Sequence, residues 1–312
     1  MPSQPADCPI DEMNICLGTP DDAAGAEALD KLAALEVFLL ESRRLLVLTG
    51  AGCSTQSGIP DYRDADGEWK HRHPVLYQDF VSSRSVRQRY WARSLIGWRR
   101  VADAAPNRAH RALARMEQAG LVHHLVTQNV DGLHHRAGSR KVIDLHGRLD
   151  VVDCLACGHR TSREHFQDRL ERDNPGLNLP SAAVARPDGD VDPGAFGYDS
   201  FEVPSCRHCG GILKPGVVFF GEPVPRERVR AAFARLGEAD ALLIVGSSLM
   251  VFSGYRFARA AFHRGLPVAL INLGRTRADG EISLKVRGQC GDVLTEMQRR
   301  LKHAPGRIDS TS

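Results

Sequence analysis

The run Leu45-Leu46-Val47-Leu48 passes without a spacer into Gly50-Ala51-Gly52-Cys53-Ser54-Thr55-Gln56-Ser57-Gly58-Ile59-Pro60-Asp61-Tyr62-Arg63, and this junction restricts the fold more than any other stretch. An unbroken apolar run reads as a strand buried on both faces, as in a parallel sheet covered by helices. Glycines at 50 and 52 lack Cβ, so the chain can turn sharply and bring backbone N–H groups up to a diphosphate. The expected fold class is therefore α/β: a Rossmann-like, doubly wound parallel sheet with a ligand loop at the carboxyl end of its first strand. The spacing departs from G-x-G-x-x-G, since the next glycine is Gly58, which argues against an ordinary hydride-transferring dehydrogenase. Asp61, Tyr62 and Arg63 add an acid, an aromatic face and a forked cation just past the glycines. Taken alone, the loop could also be a tight turn that binds nothing.

At 312 residues the chain can hold one large domain and a smaller one. The net charge is +3, from 41 basic and 38 acidic residues, with no long single-sign run, so neither nucleic acid nor a membrane surface is demanded as a partner. Apolar stretches such as Ala241 to Val245 are too short to span a bilayer. The start, Met1-Pro2-Ser3-Gln4 followed by Asp7, Asp11 and Glu12, has neither a cationic apolar signal nor an Arg-rich transit pattern, and a cytoplasmic protein is expected. Four of the eight cysteines fall into two C-x-x-C pairs, a pattern of bound metal in a reducing compartment rather than of a disulfide scaffold.

In chain order, residues 1–21 read as a flexible tail in which Cys8 and Cys16 are incidental thiols. Ala28, Leu32, Leu35 and Leu39 recur at helical spacing and should cover the first strand. From Asp64 to Arg100 the chain is basic and aromatic, with Trp69, His71, His73, Tyr77, Phe80, Tyr90, Trp91 and Trp98, and 65–105 is expected to form a cofactor-covering loop followed by short helices of a small domain. Asn107 can cap a helix bearing Ala109, Leu113 and Met116 that stops at Gly120. A strand from Leu121 to Val126 then runs into Thr127-Gln128-Asn129-Val130-Asp131-Gly132-Leu133-His134, and one from Val142 to Leu145 into His146-Gly147. Residues 151–211 read as an inserted metal-binding module with a Pro/Gly/Asp-rich middle. Asp188, Asp190 and Asp192 alternate there without the Gly and Glu of a calcium loop. The α/β rhythm returns after Lys214, with a helix bearing Val229, Phe233 and Leu236, a strand from Ala241, a helix around Phe257 and a strand from Val268. The main domain is thus 22–150 plus 212–303, with a tail at 304–312.

Cys154-x-x-Cys157 and Cys206-x-x-Cys209, each followed by a glycine (Gly158, Gly210), offer four thiolates in two tight knuckles suited to tetrahedral zinc. Local disulfides at this spacing would be strained. Four sulfur ligands leave no position for water, so the ion is expected to be structural. Gln128, Asn129 and Asp131 place amide and carboxylate groups at a strand end, where they suit a ribose and a carboxamide or, equally, a capped turn. His146 titrates near neutrality and could take a hydroxyl proton, in competition with His123, His124, His134 and His135.

Together, the loop at 50–63, the Thr127–His134 segment, the Leu145-His146-Gly147 triplet and the paired cysteines resemble the sirtuins, NAD-dependent protein deacylases whose hallmarks are GAGxSxxSGIPD[FY]R and TQN[IV]DGLH. The resemblance runs from about Leu45 to Asp292 and is nearest to a bacterial member of the class II branch, which includes a mitochondrial vertebrate protein. It implies that Gly50, Ala51, Gly52, Ser54, Ile59, Pro60, Asp61, Tyr62, Arg63 and Trp69 contact NAD. It also implies that Gln128, Asn129 and Asp131 line the nicotinamide pocket, Asn129 and Asp131 acting in catalysis, and that His146 is the base and a cofactor contact. Gly246, Ser247, Ser248, Asn272, Leu273 and Gly274 match adenosine-side loops. Cys290 sits where the family contacts adenine through its backbone, or is a packing thiol. Val217, Val218, Phe219, Phe220, Gly221 and Glu222 resemble the strand that pairs with the acylated peptide, although the first three could be plain buried strand.

What the resemblance implies chemically is transfer of an acyl group from lysine to ADP-ribose, with release of nicotinamide. Acylated-lysine proteins or peptides are the expected partners, and a monomer the expected state. Tyr90 and Arg93 have the spacing of an acid-acyl clamp, which on a solvated helix is read as coincidence. Mono-ADP-ribosyl transfer or NAD hydrolysis on the same site, and a zinc-ribbon module that merely binds NAD, are the competing functions.

Overall fold

The computed structural model describes residues 23–70, 74–175, 184–185, 191–192 and 198–303. The tails at 1–21 and 304–312, with Cys8 and Cys16, lie outside the described residues, as do His71, His73, Asp188 and Asp190.

The first half of the main domain runs α1 (Ala23–Glu41), β1 (Leu45–Thr49), two 3₁₀ turns (Ala51–Cys53, Thr55–Ser57), α2 (Tyr77–Ser82), α3 (Arg84–Asp103), α4 (Arg108–Gln118), β2 (Val122–Thr127), α5 (Leu133–Arg136) and β3 (Val142–Asp144). The insertion follows as β4 (Gly147–Cys154), β5 (Arg160–Ser162), α6 (Arg163–Asp173), the short strands β6 (Val184–Ala185) and β7 (Val191–Asp192), and β8 (Leu213–Val217). The second half is α7 (Arg226–Glu238), β9 (Ala241–Val245), α8 (Phe252–His263), β10 (Val268–Ile271), β11 (Leu284–Val286) and α9 (Cys290–His303).

Six parallel strands form the main sheet in the order β11-β10-β9-β1-β2-β3. This is the doubly wound arrangement, with β1 and β9 adjacent where the winding reverses. Every residue of β1 is buried, as its unbroken apolar run requires. Leu32, Leu35 and Leu39 of α1 pack on one face with Leu113 and Met116 of α4 and Leu294 and Met297 of α9. Ala232 and Leu236 of α7 and Phe257, Ala258 and Ala261 of α8 cover the other. Asn107 caps α4 as expected: its Oδ1 accepts from the N–H groups of Ala109 and His110, and His110 Nδ1 accepts in return from Asn107 N at 3.3 Å.

A second, antiparallel sheet, β5-β4-β8, carries the cysteines. Its core joins Phe166, Leu170, Phe201, Cys154 and Cys206 to Phe80 of α2 and Tyr90 and Trp91 of α3. Its central strand β4 begins at Gly147 and β8 ends at Val217, so the sheet reaches a few residues past each end of the 151–211 span. The stretch expected to hold only short helices is corrected: α3 is one helix of 20 residues. Its six arginines among 20 residues hide the apolar stripe of Tyr90, Trp91, Ala92 and Val101 that packs on the small domain.

Candidate active site

A cleft of about 560 Å³ opens at the carboxyl ends of β1, β2 and β9, the switch point of the sheet. All the residues assigned above to cofactor and peptide line it, with the exception of Pro60. Among its lining residues His146 is the sole histidine. His134 instead bonds Thr49, His135 bonds Asp144 and His123 bonds Glu238.

The glycines do a different job from the one expected. Gly50 N donates to Val245 O at 3.0 Å and Gly52 N to Gly246 O at 2.8 Å, so these N–H groups are already engaged by the end of β9 and the residue after it. A Cβ on Gly50 would meet Ser247 Cβ at 2.7 Å. Closeness of two loops, rather than closeness to a phosphate, requires glycine there. Gly147 is likewise required by a neighbouring segment. Its φ is +80°, and a Cβ would lie 2.0 Å from Gly216 O, so it is β8 that demands the glycine.

The floor of the cleft is a network tying β1 to β2. Ser54 Oγ donates to Asp131 Oδ2 at 2.7 Å, and Leu133 N donates to the other oxygen at 2.8 Å. Asn129 Nδ2 donates to Gly50 O and to Ser54 Oγ, both at 3.0 Å. Ser247 Oγ donates to Gln128 Oε1 at 2.6 Å, joining the β2 and β9 ends. Burial pushes the Asp131 carboxyl above its ordinary range, against the opposing pull of its two donors.

His146 is half-buried and held at both nitrogens. Nδ1 lies 2.9 Å from the carbonyl oxygen of Gln128, which can only accept, so Nδ1 carries the proton. Nε2 is therefore the acceptor, 2.8 Å from Ser253 Oγ. Burial, helped by the Arg228 and Arg256 charges, lowers its pKa to about 4, overcoming the Gln128 hydrogen bond. A neutral imidazole with an oriented lone pair is the form a general base requires. Ser253, near the start of α8, was not legible as a site residue, because nothing in its own segment shows that α8 begins beside His146.

The segment after β8 is less open than an exposed strand. Val217 and Phe219 are 5% and 9% exposed, Val218 N donates to His146 O at 2.7 Å, and Tyr77 N donates to Phe220 O. Glu222 accepts from Phe219 N and pairs with buried Lys214 at 3.2 Å, so its carboxylate braces the turn. Over the cleft, the rings of Tyr62, Trp69 and Phe220 meet edge to face at 5.6–6.1 Å. The Arg63 guanidinium lies 4.2 Å from the Trp69 ring centre. Arg275 N donates to Ala65 O, so the loop also reaches the 272–275 turn. Leu273 and Gly274 on that turn, and Cys290 at the start of α9, close the far end. Tyr90 reaches the cleft from the small-domain core, whereas Arg93 is not among the lining residues.

The four cysteines of the insertion form one cluster. Cys154 and Cys209 sulfurs lie 3.5 Å apart and Cys157 and Cys206 sulfurs 3.8 Å apart, too far for disulfides and close to the spacing around tetrahedral zinc. The two knuckles are built alike: Gly158 N donates to Cys154 O and Gly210 N to Cys206 O, with φ of +70° and +72° at the glycines. These residues fit a structural zinc ion.

An α/β domain with a nucleotide-sized cleft at its switch point and a four-cysteine insertion defines the class of protein. The Sir2 family pattern matches residues 50–253, and the chain belongs to that family. It is 58% identical over 266 residues to the NAD-dependent protein deacetylase of Xanthomonas campestris pv. campestris (strain 8004), covering 85% of this chain and 90% of that one. It is 48% identical over 268 residues to the human NAD-dependent protein lipoamidase sirtuin-4, mitochondrial, covering 85% of each. A solved Sir2–p53 peptide–NAD+ structure superposes with a TM-score of 0.69 at 29% identity, covering 89% of this chain and 98% of that one.

Proposed function

We propose that this cleft removes acyl groups from protein lysines in an NAD-dependent reaction that yields nicotinamide and acylated ADP-ribose. The observation that carries the reading is the fixed tautomer of His146, whose Nε2 lone pair faces the same cleft as Asn129 and Asp131. Bound NAD would supply a sugar carbon whose bond to nicotinamide breaks readily, giving the acyl oxygen a point of attack. Gly50, Ala51, Gly52, Ser247, Ser248, Asn272 and Leu273 would hold the dinucleotide, and Gln128, Asn129 and Asp131 its nicotinamide end. His146 takes a proton from a ligand hydroxyl that displaces Ser253 from Nε2, a role worth roughly 10²–10⁴ in rate. Tyr62, Trp69 and Phe220 exclude water. The acyl peptide would lie along Val217–Glu222, with half-buried Val218 and Phe220 facing it.

The gathering of Cys154, Cys157, Cys206 and Cys209 into one metal-binding cluster supports a reducing compartment such as the cytoplasm. Among the described residues no helix is long and apolar enough to cross a membrane. Acyl preference is tested with a panel of acetyl-, succinyl-, glutaryl- and lipoyl-lysine peptides and labelled NAD. The expected outcome is nicotinamide release that depends on peptide and matches deacylated product one to one. Release without peptide would point to NAD hydrolysis, and label on protein to ADP-ribosyl transfer.

A further inference from the structure

Beneath the cleft floor lie three metal-ligating side chains that the chemistry above leaves unused. Cys53 on the first 3₁₀ turn, His110 on the first turn of α4 and His134 on α5 come from three separate segments and are 1%, 0% and 1% exposed. One ligand atom from each lies within 4.8 Å of the other two. The two imidazole rings have centroids 4.7 Å apart.

The hydrogen bonds say which atoms are available. Thr49 Oγ1 donates to Thr127 Oγ1 at 2.8 Å and lies 2.9 Å from His134 Nε2, so Thr49 accepts from that nitrogen. His134 Nδ1 then carries a bare lone pair, and it is buried without a hydrogen-bond partner. An unpartnered buried acceptor destabilises the fold, a cost that a bound ion would recover. His110 is held by two long bonds, 3.3 Å to Asn107 N and 3.4 Å to Ser54 Oγ, either of which is cheaply given up.

We propose that Cys53, His110 and His134 form a second metal site, for zinc or a similarly thiophilic divalent ion, whose occupancy inhibits the enzyme. One sulfur and two imidazole nitrogens suit such ions, with a fourth position left for water. Binding forms one metal–sulfur and two metal–nitrogen bonds, releases the Cys53 thiol proton to solvent and changes no oxidation state. Ligand atoms around tetrahedral zinc sit about 3.5 Å apart, so the three side chains must close by on the order of 1 Å. Ser54 links the site to the reaction: its Oγ contacts His110, donates to Asp131 and accepts from Asn129. Drawing the His110 ring onto an ion loosens Ser54, and with it the two residues at the nicotinamide end.

The inhibitory half rests on the deacylase reading, whereas metal binding does not. Full-length protein with its four-cysteine site already zinc-filled is titrated with Co²⁺ and separately with Zn²⁺. One further Co²⁺ per chain is expected, with a thiolate-to-cobalt charge-transfer band that Cys53→Ser and His134→Gln each abolish. In the nicotinamide-release assay, wild type should be inhibited at an added Zn²⁺ concentration at least tenfold lower than Cys53→Ser, each measured against its own rate without added Zn²⁺. The absence of a second equivalent or of the thiolate band in wild type, or equal binding by both variants, overturns the site. A second ion bound through Cys53 without inhibition overturns the regulatory role. A second ion bound by a protein with no deacylase activity leaves the site standing and removes the functional reading instead.

Discussion

In the zinc knuckles, two four-residue turns with matching hydrogen bonds set four sulfurs in place. In the cleft, His146 depends on a carbonyl from the β2 end, a hydroxyl from α8 and a strand that returns more than sixty residues later. The first device is local and repeats itself, whereas the second exists only once the whole sheet has formed. Glycine shows the contrast best. At Gly158 and Gly210 it supplies positive φ to a turn with nothing within 4 Å of an added Cβ, while at Gly147 it also allows two strands to touch.

Breaking the knuckle should have the largest effect. Cys157→Ser removes one of four ligands, and because structural zinc binding free energy of about 10–16 kcal/mol is folding free energy, the small domain should lose both metal and structure. Zinc content and protease sensitivity across 147–217 would measure this. Retention of one zinc per chain and an intact domain would contradict it.

The glycine contrast is sharpened by a paired substitution. Gly147→Ala places a side chain at φ +80° and 2.0 Å from Gly216 O, and should cost roughly 3 kcal/mol or more, together with activity, since His146 is adjacent. Gly158→Ala, with φ +70° and open space, should cost only about 1–2 kcal/mol. Denaturant midpoints compare the two, and equal costs would show that the β4–β8 contact is not the reason for Gly147.

The smallest effect concerns pH. With its pKa lowered to about 4, His146 is unprotonated at neutrality, so the acid limb of kcat/KM set by this base should lie well below pH 6.5. The folded state favours the neutral ring. The stability it contributes is therefore present above pH 6.5 and lost as pH falls from there toward 4. Ser253→Ala removes the donor that favours neutral Nε2, so the acid limb should move up, with the neutral-pH rate changing by less than about threefold. An acid limb moved down would mean that Ser253 is not the donor.

Local features were legible in sequence: the buried β1 run, the Asn107 cap, the C-x-x-C pairs and the polar strand ends of β2 and β3. What escaped was set by tertiary packing. The donors of Gly50 and Gly52 are spent on the end of β9 almost 200 residues away, α3 hides its apolar stripe among arginines, and Pro60 is not among the residues lining the cleft. Ser253 and the Cys53–His110–His134 cluster join segments whose proximity no periodicity reports.

The central claim is that a single imidazole at the switch point removes the proton on which deacylation depends. It is tested most directly by His146→Ala in a steady-state assay of nicotinamide and deacylated peptide, with NAD binding followed by calorimetry. The account predicts a loss of at least about a hundredfold in turnover with NAD affinity changed by less than about threefold. Turnover within threefold of wild type would contradict it.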